Sequence, residues 1–470
     1  MKNNFWRVLS FSGLFFLCAY DGGCGAASSP ETISNPPPPT SNPAPPAIID
    51  ETIPNGGVNL PFDFQFTVAN GLQPFTWMET GALPPGVALS PQGELSGTPT
   101  GTGSFPITVK VQDSLDRSAA PLGVTIQIFP HGFQATGDMG EERAAHTATL
   151  LNNGNVLVAG GFNPGNLANA ELFDPVTGAF TATGTMTAGR SSHTATLLAH
   201  GPAATNGKVL MAGGSTNINA ELFDPATGTF TATGTMTELR SQHTSTLLNN
   251  GKVLLAGGTD DNTAELFDPA TGTFALTGSM ITGDITGHTA TLLNDGRVLI
   301  TGGFNFDDGT FASAELYDPA TGSFTATGNM TQARSNHTAI LLNNGNVLIT
   351  GGFDAQAEAI ATAELFEATT GTFSPVSAPA SVHTFYGATL LNDGTVLVVG
   401  GFVFPNPPGD GTVITEVFDP TTNKFNPTGS LLSGRFYHTV TLLNNGQVLV
   451  TGGQHETNPT VYLKSAELYK

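Results

Sequence analysis

Six histidines recur at matching places over the last three quarters of the chain: His146, His193, His243, His288, His337 and His438. Five follow an arginine by three residues: Arg143, Arg190, Arg240, Arg334 and Arg435. A glutamate keeps the same beat: Glu171, Glu221, Glu265, Glu315, Glu364, Glu416 and Glu467. Regularly spaced imidazole and guanidinium groups could bind an anion or a metal. A residue repeated in nearly every unit usually does the same structural job in each. Partly buried Arg–Glu pairing, within or between units, is therefore the reading we adopt for this pattern.

One place breaks the pattern. In the sixth unit the Arg and His positions become His383 and Tyr386. In the seventh, Tyr437 precedes His438, and His455 follows in a nearby loop. Two Tyr and three His from adjacent units could converge on one rim. Tyr and His suit sugar stacking with hydrogen bonding, or copper coordination. Drift at loop-facing positions is the competing reading.

The elements that must position these groups are visible in 240–274, RSQHTSTLLNNGKVLLAGGTDDNTAELFDPATGTF. An alternating apolar run is followed by a tight Asn-Asn-Gly turn and a second apolar run ending in a Gly pair. After a loop of variable length come a third run, Ala-Glu-Leu-Phe, an Asp-Pro-Ala-Thr-Gly turn and a fourth run. The first and second runs are expected to pack between neighbouring units. The short turns fall on one face and the variable loops on the other. Loops such as 304–313 and 402–415 make that second face the expected recognition surface.

The chain has 470 residues, 58 Gly, 32 Pro and 31 Phe, with 11% charged residues, which suits a multi-unit, extracellular all-β protein. Its formal net charge is -22, from 15 basic and 37 acidic residues, and no Lys/Arg cluster offers a nucleic-acid surface. An acidic surface also repels anionic lipid, so any membrane link is expected to be covalent. Both cysteines, Cys18 and Cys24, lie near the N-terminus, leaving the folded part without a disulfide or a Cys-ligated metal. We expect no cofactor and a monomer.

Residues 1–27 read as an export signal: Lys2 and Arg7 precede an apolar run too short to span a bilayer with ease. Two endings fit. Gly23-Cys24-Gly25 resembles a bacterial lipoprotein signal, in which Cys24 is acylated, although Asp21 departs from the small or apolar residue usual there. Ordinary cleavage near Ala27 is the other. Either ending delivers a secreted or surface protein. Residues 28–46 form a stiff Pro-rich spacer.

Residues 47–130 are the first folded unit. Runs 62–68 and 107–112 alternate at period two. Between them, Leu83, Pro84, Pro85, Gly86, Leu89, Gly93 and the run Leu95-Ser-Gly-Thr-Pro99, with Phe105, resemble a bacterial Ig-like family of small surface-protein sandwiches. Trp77 is expected in its core, and Asp113 as an exposed turn carboxylate rather than a calcium ligand.

From residue 131 the Gly pairs recur at roughly 45–50 residues, a kelch-type spacing. Paired aromatics such as Phe223 with Phe230, and Phe267 with Phe274, resemble the kelch Tyr and Trp. The resemblance implies an all-β fold, a seven-bladed kelch-type β-propeller preceded by a small Ig-like β-sandwich. The seventh unit lacks a fourth strand, and 133–139 matches 230–236, so the N-terminal strand should close the ring.

The run 434–453 is similar to a blade of galactose oxidase, a kelch-propeller copper enzyme. That resemblance would make Tyr437 and His438 copper ligands. The family's second copper tyrosine is cross-linked to a cysteine, and the propeller region has none. The expected function is therefore non-enzymatic recognition of a carbohydrate or protein at the cell surface. A carbohydrate-active enzyme of the galactose-oxidase type is the alternative.

Overall fold

The computed structural model describes residues 44–50, 52–199, 204–214, 218–283, 285–381, 384–402, 411–455 and 460–470. The expectations for the leader, for Cys24, for most of the spacer and for His383 lie outside these residues. Every regular element among them is a strand.

Period-two alternation builds the first unit. In the strand Gly103–Gln112, Ile107, Val109 and Val111 point inward and are buried, while Lys110 between them is exposed. This strand lies between Leu122–Phe129 and Thr76–Gly81 in one sheet, whose other edge is Gly56–Gly57. Phe62–Gln65, Glu94–Gly97 and Val87–Leu89 form the second sheet. Trp77 is buried and stacks on Phe66, with ring centroids 5.4 Å apart. The expected strand 62–68 stops at Gln65, because the Phe66 amide turns away to donate to Gly93 O. Asp113 also departs from expectation. It is buried, pairs with Arg117 at 2.6 Å and accepts the Leu115 and Arg117 amides. Arg117 foremost holds its carboxyl down to about 2.

Among the described residues, seven further four-stranded antiparallel sheets follow, called blades here in chain order. The third is typical: Thr244–Leu247, Val253–Ala256, Ala264–Asp268 and Thr273–Leu276. Its second strand, Val-Leu-Leu-Ala, is buried at every position, because each of its faces meets an apolar layer. Val253, Leu255 and Phe267 pack with Leu210, Ala212 and Leu222 of the second blade. Burial of each such side chain contributes ~1.5–3 kcal/mol, repeated around the ring. Phe267 and Phe274 face each other across the third and fourth strands, 4.8 Å apart.

The turns follow from their side chains. Asn250 Oδ1 accepts the Lys252 amide, and Asp268 Oδ1 accepts the Ala270 amide. The Gly pair has a steric reason. At Gly257 (φ 66°) an added Cβ would fall 2.4 Å from His288 Cε1 of the next blade.

The innermost strands touch their neighbours in sequence order, and that of the seventh blade touches that of the first. The described residues thus form a closed β-propeller. In the seventh blade, Phe133–Ala135 pairs antiparallel with Ala466–Tyr469, and the Phe133 and Tyr469 rings lie 5.1 Å apart. The ladder covers only those three residues of 133–139, with Met139 still donating to Lys464 O at 2.9 Å. The Ig-like unit meets the sixth blade, where the Asn55 amide donates to Ser430 Oγ, Asn55 O accepts the Ser430 amide, and the Asn55 side-chain amide donates to Thr428 O.

Candidate functional site

The repeated charges turn inward. Arg240 Nε donates to Glu265 Oε1 at 2.6 Å with both side chains fully buried. Its Nη1 donates to Gly257 O and Thr263 O, tying down the loop after the Gly pair. Arg143–Glu171, Arg190–Glu221, Arg334–Glu364 and Arg435–Glu467 repeat the pair in their own blades. The arginines are fully buried and the glutamates nearly so, deeper than the partial burial expected. The fourth blade has Ile285 in the arginine's place. Glu315 there accepts the Ile281 and Thr282 amides, and burial pushes its carboxyl upward.

Five histidines stitch blade to blade. Nε2 of His146, His193, His243, His288 and His337 shares a hydrogen bond with the hydroxyl of Thr439, Thr147, Thr194, Thr244 and Thr289 of the preceding blade, at 3.0–3.2 Å. Burial, reinforced in most by a nearby arginine, pulls these imidazoles far below 6.5, to about 3 at His193 and His243 and about 4 at His288. They are neutral structural links.

The residue before each of these positions lines the inner rim of the variable-loop face: Ala145, Ser192, Gln242, Gly287, Asn336, Phe385 and Tyr437. All seven have φ between 50° and 64°, rare for residues other than Gly. The turn lets five of these amides reach the neighbouring blade: Ala145 N–H donates to Tyr437 O, Ser192 to Ala145, Gln242 to Ser192, Asn336 to Gly287 and Tyr437 to Phe385. The rim is uneven. Its first five members are small or uncharged polar residues. The last two are aromatic, with ring centroids 4.3 Å apart. Phe353 flanks Phe385 at 5.3 Å, and Phe436 flanks Tyr437 at 5.4 Å.

Of the five residues singled out from the sequence, the four that are described stand in different settings. Tyr437 is half-buried on the rim. Tyr386 instead sits in the seam with the fifth blade, donating its hydroxyl to Thr350 O, and burial pushes its phenol up to about 12. It replaces the histidine link. His438 is 8% exposed, and neither ring nitrogen has a side-chain hydrogen-bond partner; the imidazole faces the Val399 and Arg435 carbonyls. His455 Nε2 shares a hydrogen bond with Ser433 Oγ in the short hairpin of Gln454–His455 with Val461–Tyr462. His383 lies outside the described residues. Phe385, missed in the sequence, is the true companion of Tyr437. Aligning the column before the histidines, rather than the motif itself, would have found it.

A shallow groove of about 490 Å³ lies away from the rim, on the Ig-like unit beside Gly81, Ile107 and Val124. No ionisable side chain lines it.

Comparison with known proteins agrees with this architecture. Residues 45–128 match the family model described as Putative Ig domain. No curated protein matches the chain by sequence. Among solved structures, the chain is similar in fold to a fungal alcohol oxidase of the AA5 family in complex with copper. The TM-score is 0.58 at 17% identity, covering 73% of this chain and 76% of that one. The residues here do not fit such a centre. His438 is enclosed between blades, the Tyr437 ring packs at a tilt against Phe385, and the described residues contain no group of three or more His, Cys, Asp or Glu that could hold a metal.

Proposed function

We propose that the chain is an exported binding protein. Residues 131–470 form a seven-bladed kelch-type propeller that recognises a carbohydrate through its variable-loop face. It is tethered through Cys24 or released after cleavage near Ala27, with the Pro-rich spacer and the Ig-like unit separating the propeller from the surface. The observation that carries this reading is the Phe385–Tyr437 pair on a rim otherwise built of Ala, Ser, Gln, Gly and Asn. Aromatic faces stack on the C–H face of a sugar ring. Ser192, Gln242 and Asn336 elsewhere on the rim are neutral groups suited to hydroxyls. An uncharged rim favours a neutral glycan over an anionic one, and the net charge of -22 acts in the same direction.

The enzyme alternative rests on fold likeness and on the resemblance of 434–453 to a galactose-oxidase blade, and the buried His438 argues against it. A glycan array on the full chain tests the reading. Neutral glycans should bind wild-type protein, and Tyr437→Ala should weaken them about tenfold, the effect of losing ~1.4 kcal/mol from a central aromatic contact. Binding unaffected by Tyr437→Ala and Phe385→Ala would reject it.

A further inference from the structure

The seam between the sixth and seventh blades lacks the link that joins most of the others. Where the other histidines meet a threonine hydroxyl, His438 meets Gly387. The next residue explains the glycine. At the position where other blades have Ala148, Ala195, Ser245, Ala290, Ala339 or Ala388, the seventh blade has Val440. A Cβ added at Gly387 would fall 2.1 Å from Val440 Cγ2 and 3.3 Å from His438 Nε2. Val440 therefore occupies the threonine's space, and the buried His438 faces the Val399 and Arg435 carbonyls with no hydroxyl partner across the seam. A buried imidazole that has lost the partner its equivalents keep calls for an explanation.

The same seam carries the aromatic pair. Phe385 lies just before the sixth blade's inner strand and Tyr437 just before the seventh's, and one rim hydrogen bond joins them, Tyr437 N–H to Phe385 O at 3.1 Å. The two halves of the stacking platform thus stand on blades that lack the histidine–threonine tie. We propose that Gly387, Val440 and His438 form an adjustable seam that sets the spacing of Phe385 and Tyr437, so that a sugar ring is clamped as the seam closes. This rests on the reading of the rim as a glycan site. His438 is a positioning residue here and touches no ligand.

The repeat itself supplies the repair. Gly387→Thr with Val440→Ala recreates the pairing that Thr244 and Ala290 provide for His288. The converse pair, Thr244→Gly with Ala290→Val, moves the lesion to a seam without aromatics. The full chain would be studied by thermal melts, by native-state hydrogen exchange, and by titration with a neutral glycan from the array. In wild type, the Tyr437 amide should exchange at least about tenfold faster than the equivalent Ser192 and Gln242 amides. Repair should raise Tm, slow exchange at Tyr437 and change glycan affinity by at least about fivefold. Moving the lesion should lower Tm with affinity unchanged. If glycan binds wild-type protein and repair raises Tm but leaves affinity within twofold, the seam is only structural and the proposal falls. A repair that leaves Tm and exchange unchanged would also overturn it. Should wild-type protein bind no neutral glycan, the functional reading falls and takes this proposal with it, even if the exchange difference holds.

Discussion

The rings of Phe385 and Tyr437 lie 4.3 Å apart across the seam between the sixth and seventh blades, tilted by 36°. Both are half-buried residues in a left-handed backbone conformation, φ 51° and 55°. No repeat motif demands aromatics there, since Ala145, Ser192, Gln242, Gly287 and Asn336 hold the equivalent places. Phe385→Ala and Tyr437→Ala should therefore leave Tm within a few degrees of wild type while removing most glycan affinity. Melting curves beside titration calorimetry check this. A large fall in Tm would mean that the pair is core.

The buried ion pairs set a second expectation. Glu265→Gln removes the counter-charge of a fully enclosed Arg240, and breaking such a pair costs about 3–5 kcal/mol. Glu315 is the contrast, because Ile285 stands where its arginine would be and its carboxyl is shifted upward by burial. A raised carboxyl stabilises the fold below its ordinary value of 4.5, and that stability is lost as pH rises through the folded value. Glu315→Gln should therefore raise Tm at pH 7, with the gain shrinking as pH falls through the folded value and gone by about pH 4.5. Chemical denaturation of the two variants should give opposite signs.

Acid should weaken the ring through its histidines. His193, His243 and His438 are pulled down to about 3, and His288 to about 4, chiefly by burial. The folded state then binds fewer protons than the unfolded one. Stability is full above about 6.5 and declines as pH falls towards those values, by ~1.4 kcal/mol per pH unit for each histidine. A Tm-against-pH curve should bend downward near pH 6.5, and His193→Gln should reduce its slope. A flat curve from pH 7 to 5 would show that the imidazoles are not held neutral.

Closure rests on few residues, so it is exposed to mutation. Phe133 is 3% exposed and packs with Tyr469, Leu431 and Val448. Phe133→Asp should destabilise the propeller by several kcal/mol, since it puts an unpaired charge into an apolar layer at the ring's join. Proteolysis should then start within the sixth and seventh blades. Cleavage spread evenly around the ring would contradict this.

Much of this architecture can be read from the residues, because its physics is local. Alternation in Ile107–Gln112, the Asn-Gly turns and the Gly pairs each act within a few residues of themselves. The pairing of Arg240 with Glu265 was also legible as a repeated need, though not its depth of burial. The rim was not. His438 looks like His146 in sequence, yet its isolation is decided by Gly387 and Val440, and only the register of two blades brings those together. Tyr386 looked like a site residue, but it occupies the histidine's structural slot with its hydroxyl on Thr350 O. Phe385 sits in a column with no motif, so nothing drew attention to it.

Hydrogen–deuterium exchange of the full chain, with and without a neutral glycan from the array, tests the central claim most directly. Protection should concentrate at 384–387 and 436–439, the two rim segments that carry Phe385 and Tyr437. Protection confined to the Ig-like unit, or to the short turns of the opposite face such as 295–297, would contradict it.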